Sequence, residues 1–151
     1  VDILSFGGTK NGLLLGEAVI FLSSEIASDY KFYRKQNMQL ASKMRFISAQ
    51  LCALLEGDLW RRNAEHANSM AKVLANRVQS ISKVKLTQRT EANAVFACIP
   101  KDVIPELREE YFFYDWNFAL GEVRWMTSFD TTIEEIQQFG DLLEQKIENL
   151  N

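Results

Sequence analysis

One histidine and two cysteines are too few for much of the chemistry a 151-residue chain could carry. A Ser-His-Asp triad needs a histidine oriented by a carboxylate, and a structural zinc site needs several Cys or His ligands at short spacings. His66 stands alone and is assigned no role. Cys52 and Cys98 lie far apart inside apolar segments with no C-x-x-C spacing, so they read as buried free thiols in a reducing cytoplasm, and no metal site is expected. A membrane-spanning run is missing as well: "LLLGEAVIFL" at 13–22 is broken by Gly16 and Glu17 and falls short of the ~20 apolar residues of a span. Val1 to Phe6 lacks the basic n-region of a signal peptide. The formal net charge of -3 carries no basic excess to attract nucleic acid or an anionic membrane.

What is present is the make-up of a globular protein, 47% hydrophobic and 25% charged, with room for one domain or a piece of a larger one. No repeat and no low-complexity segment interrupts it. Residues 1–6 and 13–22 read as strands, the second apolar enough to suggest burial on both faces. A turn or two of helix is expected from Ser24 to Lys35 with Ser23 or Ser24 as cap, and a helix over 42–56, closed by Gly57 and followed by Asp58 as a cap. Trp60, Ala64, Ala67, Ala71, Leu74, Val78 and Ile81 recur at steps of four and three, the stripe of one long helix. Strands follow at 84–88, 93–99, 111–116 and 122–129, with a helix between Pro100 and Glu110. A last helix opens on the capping box Thr131 to Glu134 and buries Ile133, Ile136, Phe139, Leu143 and Ile147. The expected class is α/β, a two-layer unit of three or four antiparallel strands on long helices.

Two cations stand out against this background. Lys10 sits in "SFGGTKNG", a glycine-rich turn between strands. A phosphate-binding P-loop requires G-x-x-x-x-G-K-[ST] running into a helix, whereas Asn11 and Gly12 follow this lysine and a strand comes next. An ordinary solvent-exposed turn lysine remains open. In "EVRWMTSF" the alternation puts Val123, Trp125, Thr127 and Phe129 on one face and Arg124 on the other. A guanidinium in mid-strand suits a bidentate grip on a carboxylate, and a cross-strand ion pair with Asp115 or Glu122 is the structural alternative. A looser basic group, Lys31, Arg34, Lys35, Lys43 and Arg45, could be no more than a solvated helix face.

The stretch "VDILSFGGTKNGLLLGEAVIF" resembles the cofactor-lysine segment of the pyridoxal-phosphate (PLP)-dependent L-threonine aldolase and β-eliminating lyase family, a branch of the aspartate-aminotransferase fold. The likeness continues through "RKQNMQLASKMRFISAQ" and "VRWMTSFDTT". It implies Lys10 as the Schiff-base residue, and Ser5 and Thr9 as short donors to the cofactor phosphate. Arg124 becomes the group that binds the substrate α-carboxylate. Lys35 and Arg45, in "YRKQ" and "SKMR", would approach the phosphate of a neighbouring subunit, which implies a homo-oligomer with shared sites. The chemistry implied is cleavage of a β-hydroxy-α-amino acid such as threonine to glycine and an aldehyde. By the same likeness, residues 1–57 are the end of the large cofactor domain and 58–151 the small C-terminal domain. The chain is then expected to be the C-terminal portion of a roughly twofold longer protein, whose upstream half holds the pyridine-nitrogen and ring-stacking residues. Another enzyme of the same fold, an aminotransferase or amino-acid lyase, and a non-catalytic dimerisation module are the alternatives.

Overall fold

In the computed structural model, which describes residues 1–150, the chain divides into two units, Val1–Arg62 and Asn63–Asn151, each taken by itself below. The first opens with an antiparallel hairpin of β1 (Ile3–Gly7) and β2 (Glu17–Phe21), Ile3 facing Phe21 and Gly7 facing Glu17. Its turn is tight: Gly8 donates to the Gly16 carbonyl at 3.0 Å and its own carbonyl accepts from Asn11 and Leu13. The expected burial of 13–22 on both faces is not what the hairpin shows. Val19 and Ile20 are 59% and 40% exposed, and Leu14 and Leu15 lie in the turn. A strand is sealed on both faces only inside a covered sheet, and this two-stranded ribbon is covered only in part, with Phe21 against Tyr30 and Leu13 buried.

Residues 24–29 make isolated turns, with Ala27 donating to Ser24 and Tyr30 to Ala27, so the helix expected from Ser24 begins only at α1 (Tyr30–Gln36). Asp29 takes the capping position without a side-chain cap bond, in place of Ser23 or Ser24. α2 (Met44–Leu55) follows, burying Leu54 alone among its side chains, and its Cys52 is exposed rather than buried as expected. A tight turn with φ of 58° at Gly57 and 61° at Asp58 ends it.

α3 (Leu59–Gln79) carries the predicted stripe into the second unit, where Ala67, Ala71, Leu74 and Val78 are buried, as is Ile81 just beyond. Four strands, β3 (Lys85–Leu86), β4 (Ala94–Cys98), β5 (Tyr114–Asn117) and β6 (Glu122–Met126), form an antiparallel sheet in the order β3-β4-β6-β5. The short helix α4 (Val103–Arg108) links β4 to β5 and buries Val103, Ile104 and Leu107. Gly121 turns β5 into β6 at φ 67°, and a Cβ there would stand 2.7 Å from the Ile99 carbonyl, so only glycine fits.

α5 (Ile133–Glu148) starts one residue later than the sequence suggests. Thr132 and Glu135 form the capping box: Glu135 N–H donates to the Thr132 hydroxyl at 3.2 Å and Thr132 N–H to the Glu135 carboxylate at 2.7 Å. Thr131 instead closes the preceding turn, its hydroxyl accepting from Ser128 N–H. This shift leaves Ile133 52% exposed while Ile136, Phe139, Leu143 and Ile147 are buried. They join Val95, Ala97, Val123, Trp125 and the α3 stripe in one core between sheet and helices. Thr127, 4% exposed, satisfies its hydroxyl by donating to the Ala67 carbonyl at 2.7 Å, and His66 Nε2 lies 2.8 Å from the Thr131 carbonyl.

These placements set an order of sensitivity measurable by urea denaturation followed by circular dichroism. Leu143→Ala empties a fully buried site and is expected to cost about 2–5 kcal/mol. Thr132→Ala is expected to cost about 1 kcal/mol through the lost cap, and Ile133→Ala less than either. An Ile133 effect as large as that of Leu143 is incompatible with this register.

Candidate functional site

The lysine turn is built by its glycines. A Cβ on Gly8 would come within 2.2 Å of Leu13 Cδ1, and one on Gly7 within 2.7 Å of Glu17 Oε2. Leu13 closes in on Gly8, whereas a Cβ at Gly7 would need only the Glu17 carboxylate to swing aside, and Thr9–Asn11 form a single 3-10 turn that carries Lys10. Lys10 is exposed, and among the described residues no carboxylate pairs with it. Glu17, the nearest acid along the hairpin, instead accepts a hydrogen bond from the Thr9 hydroxyl at 3.2 Å. Ser5 is exposed on β1, opposite Val19. Thus Ser5, Thr9 and Lys10 share one hairpin, with the hydroxyl of Thr9 turned to a carboxylate.

Lys35 lies in the last turn of α1 and Arg45 in the first turn of α2, both exposed. Arg45 stacks on its neighbour Phe46 at 4.9 Å. Arg34, grouped with them in sequence only as one more basic residue, is the one whose Nε is sealed from solvent without a partner. It lines a groove of about 770 Å³ with Phe21, Tyr30, Tyr33 and Met44. Its position one turn after Tyr30 was the available sign.

Arg124 belongs to the second unit, on the face of β6 turned away from the core. Val123 and Trp125 on either side are buried at 0% and 4% exposure, which obliges Arg124 to point outward. Neither of the two suspected carboxylate partners takes it. Asp115 pairs with Arg108 at 2.8 Å, and Glu122 accepts from the Thr87 hydroxyl. Arg124 is flanked instead by rings, with its guanidinium carbon 5.7 Å from the Tyr114 centroid and 5.4 Å from that of Trp116. Its Nε is sealed and unpaired. Sequence reasoning passed over both rings, although "YFFYDW" places Tyr114 and Trp116 on one face of a strand.

No family model matches the chain. Over its length it superposes on a PLP-dependent aminotransferase from Streptococcus suis 89-1591 with a TM-score of 0.73 at 18% identity, covering 99% of this chain and 42% of that one. The fold is therefore that of the PLP-dependent enzymes of aminotransferase type. The threonine aldolase of Leishmania major matches at TM-score 0.84 and 25% identity, over 97% of this chain and 43% of that one. Two curated relatives, the low specificity L-threonine aldolases of Pseudomonas aeruginosa and of Pseudomonas sp. strain NCIMB 10558, are 41% and 40% identical over 93% of this chain. The chain belongs to the threonine aldolase family and corresponds to its C-terminal part. It spans 40% of the length of those curated relatives.

The unpaired state of Arg124 carries a stability prediction. A structural ion pair would leave a stranded carboxylate when cut, but Arg124→Leu strands nothing. It loses two cation–π contacts of about 0.5–1 kcal/mol each and relieves one buried unpaired donor worth about 1–3 kcal/mol. The urea midpoint of Arg124→Leu is expected to stay level or rise, whereas a clear fall would assign Arg124 to the scaffold.

Proposed function

We propose that this chain is the lysine-bearing and carboxylate-binding part of a PLP-dependent carbon–carbon lyase. Its reaction is the cleavage of β-hydroxy-α-amino acids of the threonine type to glycine and an aldehyde. The observation that carries the proposal is Lys10, an exposed amine with no carboxylate paired to it among the described residues, displayed by a turn in which Gly8 is closed in by Leu13. The names of the relatives, low specificity L-threonine aldolases, support the substrate class. The aminotransferase match bears on fold alone.

The residues present fit the cofactor at its aldehyde end. Lys10 would hold PLP covalently through its exposed amine. Bound there, PLP supplies an electron sink for the pair released when the Cα–Cβ bond of the amino acid breaks. Ser5 and Thr9 are assigned to the phosphate, Thr9 by exchanging its Glu17 acceptor for a phosphate oxygen. Lys35 and Arg45 would add positive charge to the phosphate site of a neighbouring subunit in a homo-oligomer. Arg124 fixes the substrate carboxylate through paired N–H groups, and so sets which bond at Cα lies where it can break. Residues 1–57 are read as the end of the cofactor domain and 58–151 as the small domain. The remaining contacts to the cofactor, including the partner of its ring nitrogen, come from an upstream portion of an aldolase-length protein.

A chimera tests this reading. The chain replaces the matching segment of the Pseudomonas aeruginosa enzyme and is reduced with borohydride in the presence of PLP, then mapped by peptide mass. A pyridoxyl adduct on Lys10, cleavage of threonine to glycine, and loss of both in Lys10→Ala are the expected results. An adduct elsewhere or none defeats the lysine assignment. An adduct with amino-group transfer and no glycine defeats the lyase assignment.

A further inference from the structure

We propose that Tyr114 and Trp116 are positioning residues for Arg124, holding its guanidinium as a pre-set fork for a carboxylate. The inference rests on the carboxylate role given to Arg124 above and goes further, because it names what holds that fork in place and away from the protein's own carboxylates.

The register of the sheet shows how the rings arrive there. Tyr114 is paired with Arg124 across β5 and β6, and Phe96 is paired with Arg124 on the other side, across β4 and β6. In a regular ladder Trp116 would face Glu122, but Asn117 faces it instead, so Trp116 is the extra residue of a bulge between Asp115 and Asn117. Bulges re-aim a side chain. Here the result is that Trp116 packs edge-on against Phe96, with centroids 5.0 Å apart, although their strands lie on opposite sides of β6. The two rings meet over the strand that carries Arg124. Trp116 and Tyr114 both lie within cation–π range of the Arg124 guanidinium, whose Nε is sealed. The outer nitrogens are not sealed, and no acceptor engages them among the described residues.

The surroundings keep the fork open. Asp115, next to both rings in sequence, alternates to the other side and is taken by Arg108, itself braced on Phe113 at 5.1 Å. Glu122, two residues before Arg124 on the same side of β6, is engaged by Thr87. Aromatic faces attract the cation without offering it a competing anion, so the guanidinium is oriented at no cost in occupancy. A guanidinium also stacks on rings and presents two parallel donors, which a lysine at this position could not do.

The test has two arms. In the intact chain, the Arg124 Nε–H proton, followed by 15N NMR, is expected to exchange with water more slowly than those of the exposed Arg62 and Arg89. Trp116→Leu should speed that exchange at least about tenfold, and Trp116→Phe should restore it. In the PLP-loaded chimera, Tyr114→Leu and Trp116→Leu are each expected to raise KM for threonine by about two- to fivefold, the range of one exposed cation–π contact, with kcat within twofold. Glycine binding should weaken by the same factor, while methylamine, which lacks the carboxylate, should bind unchanged. Unaltered exchange in Trp116→Leu, no rescue by phenylalanine, or equal losses for glycine and methylamine would overturn the positioning role. If Arg124→Leu itself leaves glycine binding intact, the carboxylate reading is what has failed, and the exchange arm identifies that case by still giving its expected result.

Discussion

The second unit depends on the strict alternation of β6. Val123 and Trp125 must enter the core, because Val95 and Ala97 on β4 and the apolar faces of α3 and α5 meet there. A strand that buries every second side chain displays the intervening one with equal necessity. Arg124 therefore owes its outward direction to its neighbours, and the packing of Val123 at 0% exposure is also what steadies the arginine. Binding residues on a strand backed by a packed core are held more firmly than residues on a loop. The two long helices thus help to set the direction of Arg124 through the core they share with β6.

The first unit shows the complementary case, a lysine carried on a turn closed by backbone bonds. Lys10 is exposed, and the turn that carries it is closed by the bond of Gly8 N–H to the Gly16 carbonyl. The hairpin leaves Ile3, Leu4, Val19 and Ile20 exposed at 40% or more. So much exposed apolar surface fits a segment that is an interior part of a larger sheet in the aldolase-length protein proposed above.

Much of this was legible because the signals were local and periodic. The stripe from Ala64 to Ile81, the four strands and the inward face of β6 follow from spacings of 3.6 and 2, which chain geometry imposes whatever the partner. Where several cap motifs overlap, spacing alone misleads. Thr131-x-x-Glu134 and Thr132-x-x-Glu135 both satisfy the capping pattern, and only the bond from Ser128 to the Thr131 hydroxyl decides between them. The burial expected of residues 13–22 failed for a different reason, since apolar content reports what a segment requires, and its neighbours decide whether that is met. Arg124 was visible as an oddity in a strand. Its ring sandwich was not, because a one-residue bulge in β5 brings Trp116 across, and no pattern in "YFFYDWN" announces a bulge.

A chain with more acids than bases that nevertheless leaves a site arginine unpaired has to employ its carboxylates elsewhere. Asp141 and Glu144 both bond Arg77, and these hydrogen bonds, Asp141 first, hold its guanidinium above the ordinary arginine value. Glu106 does the same for Lys146, raising its ammonium by a direct hydrogen bond. Both cations are charged at every working pH, so the upward shifts add stability that persists until strongly alkaline conditions. The pairs also tie up acids on α4 and α5, as Arg108 ties up Asp115 and Thr87 ties up Glu122 nearer the site. These pairings leave Arg124 with aromatic rather than acidic neighbours among the described residues, which is the arrangement that the proposed carboxylate role requires.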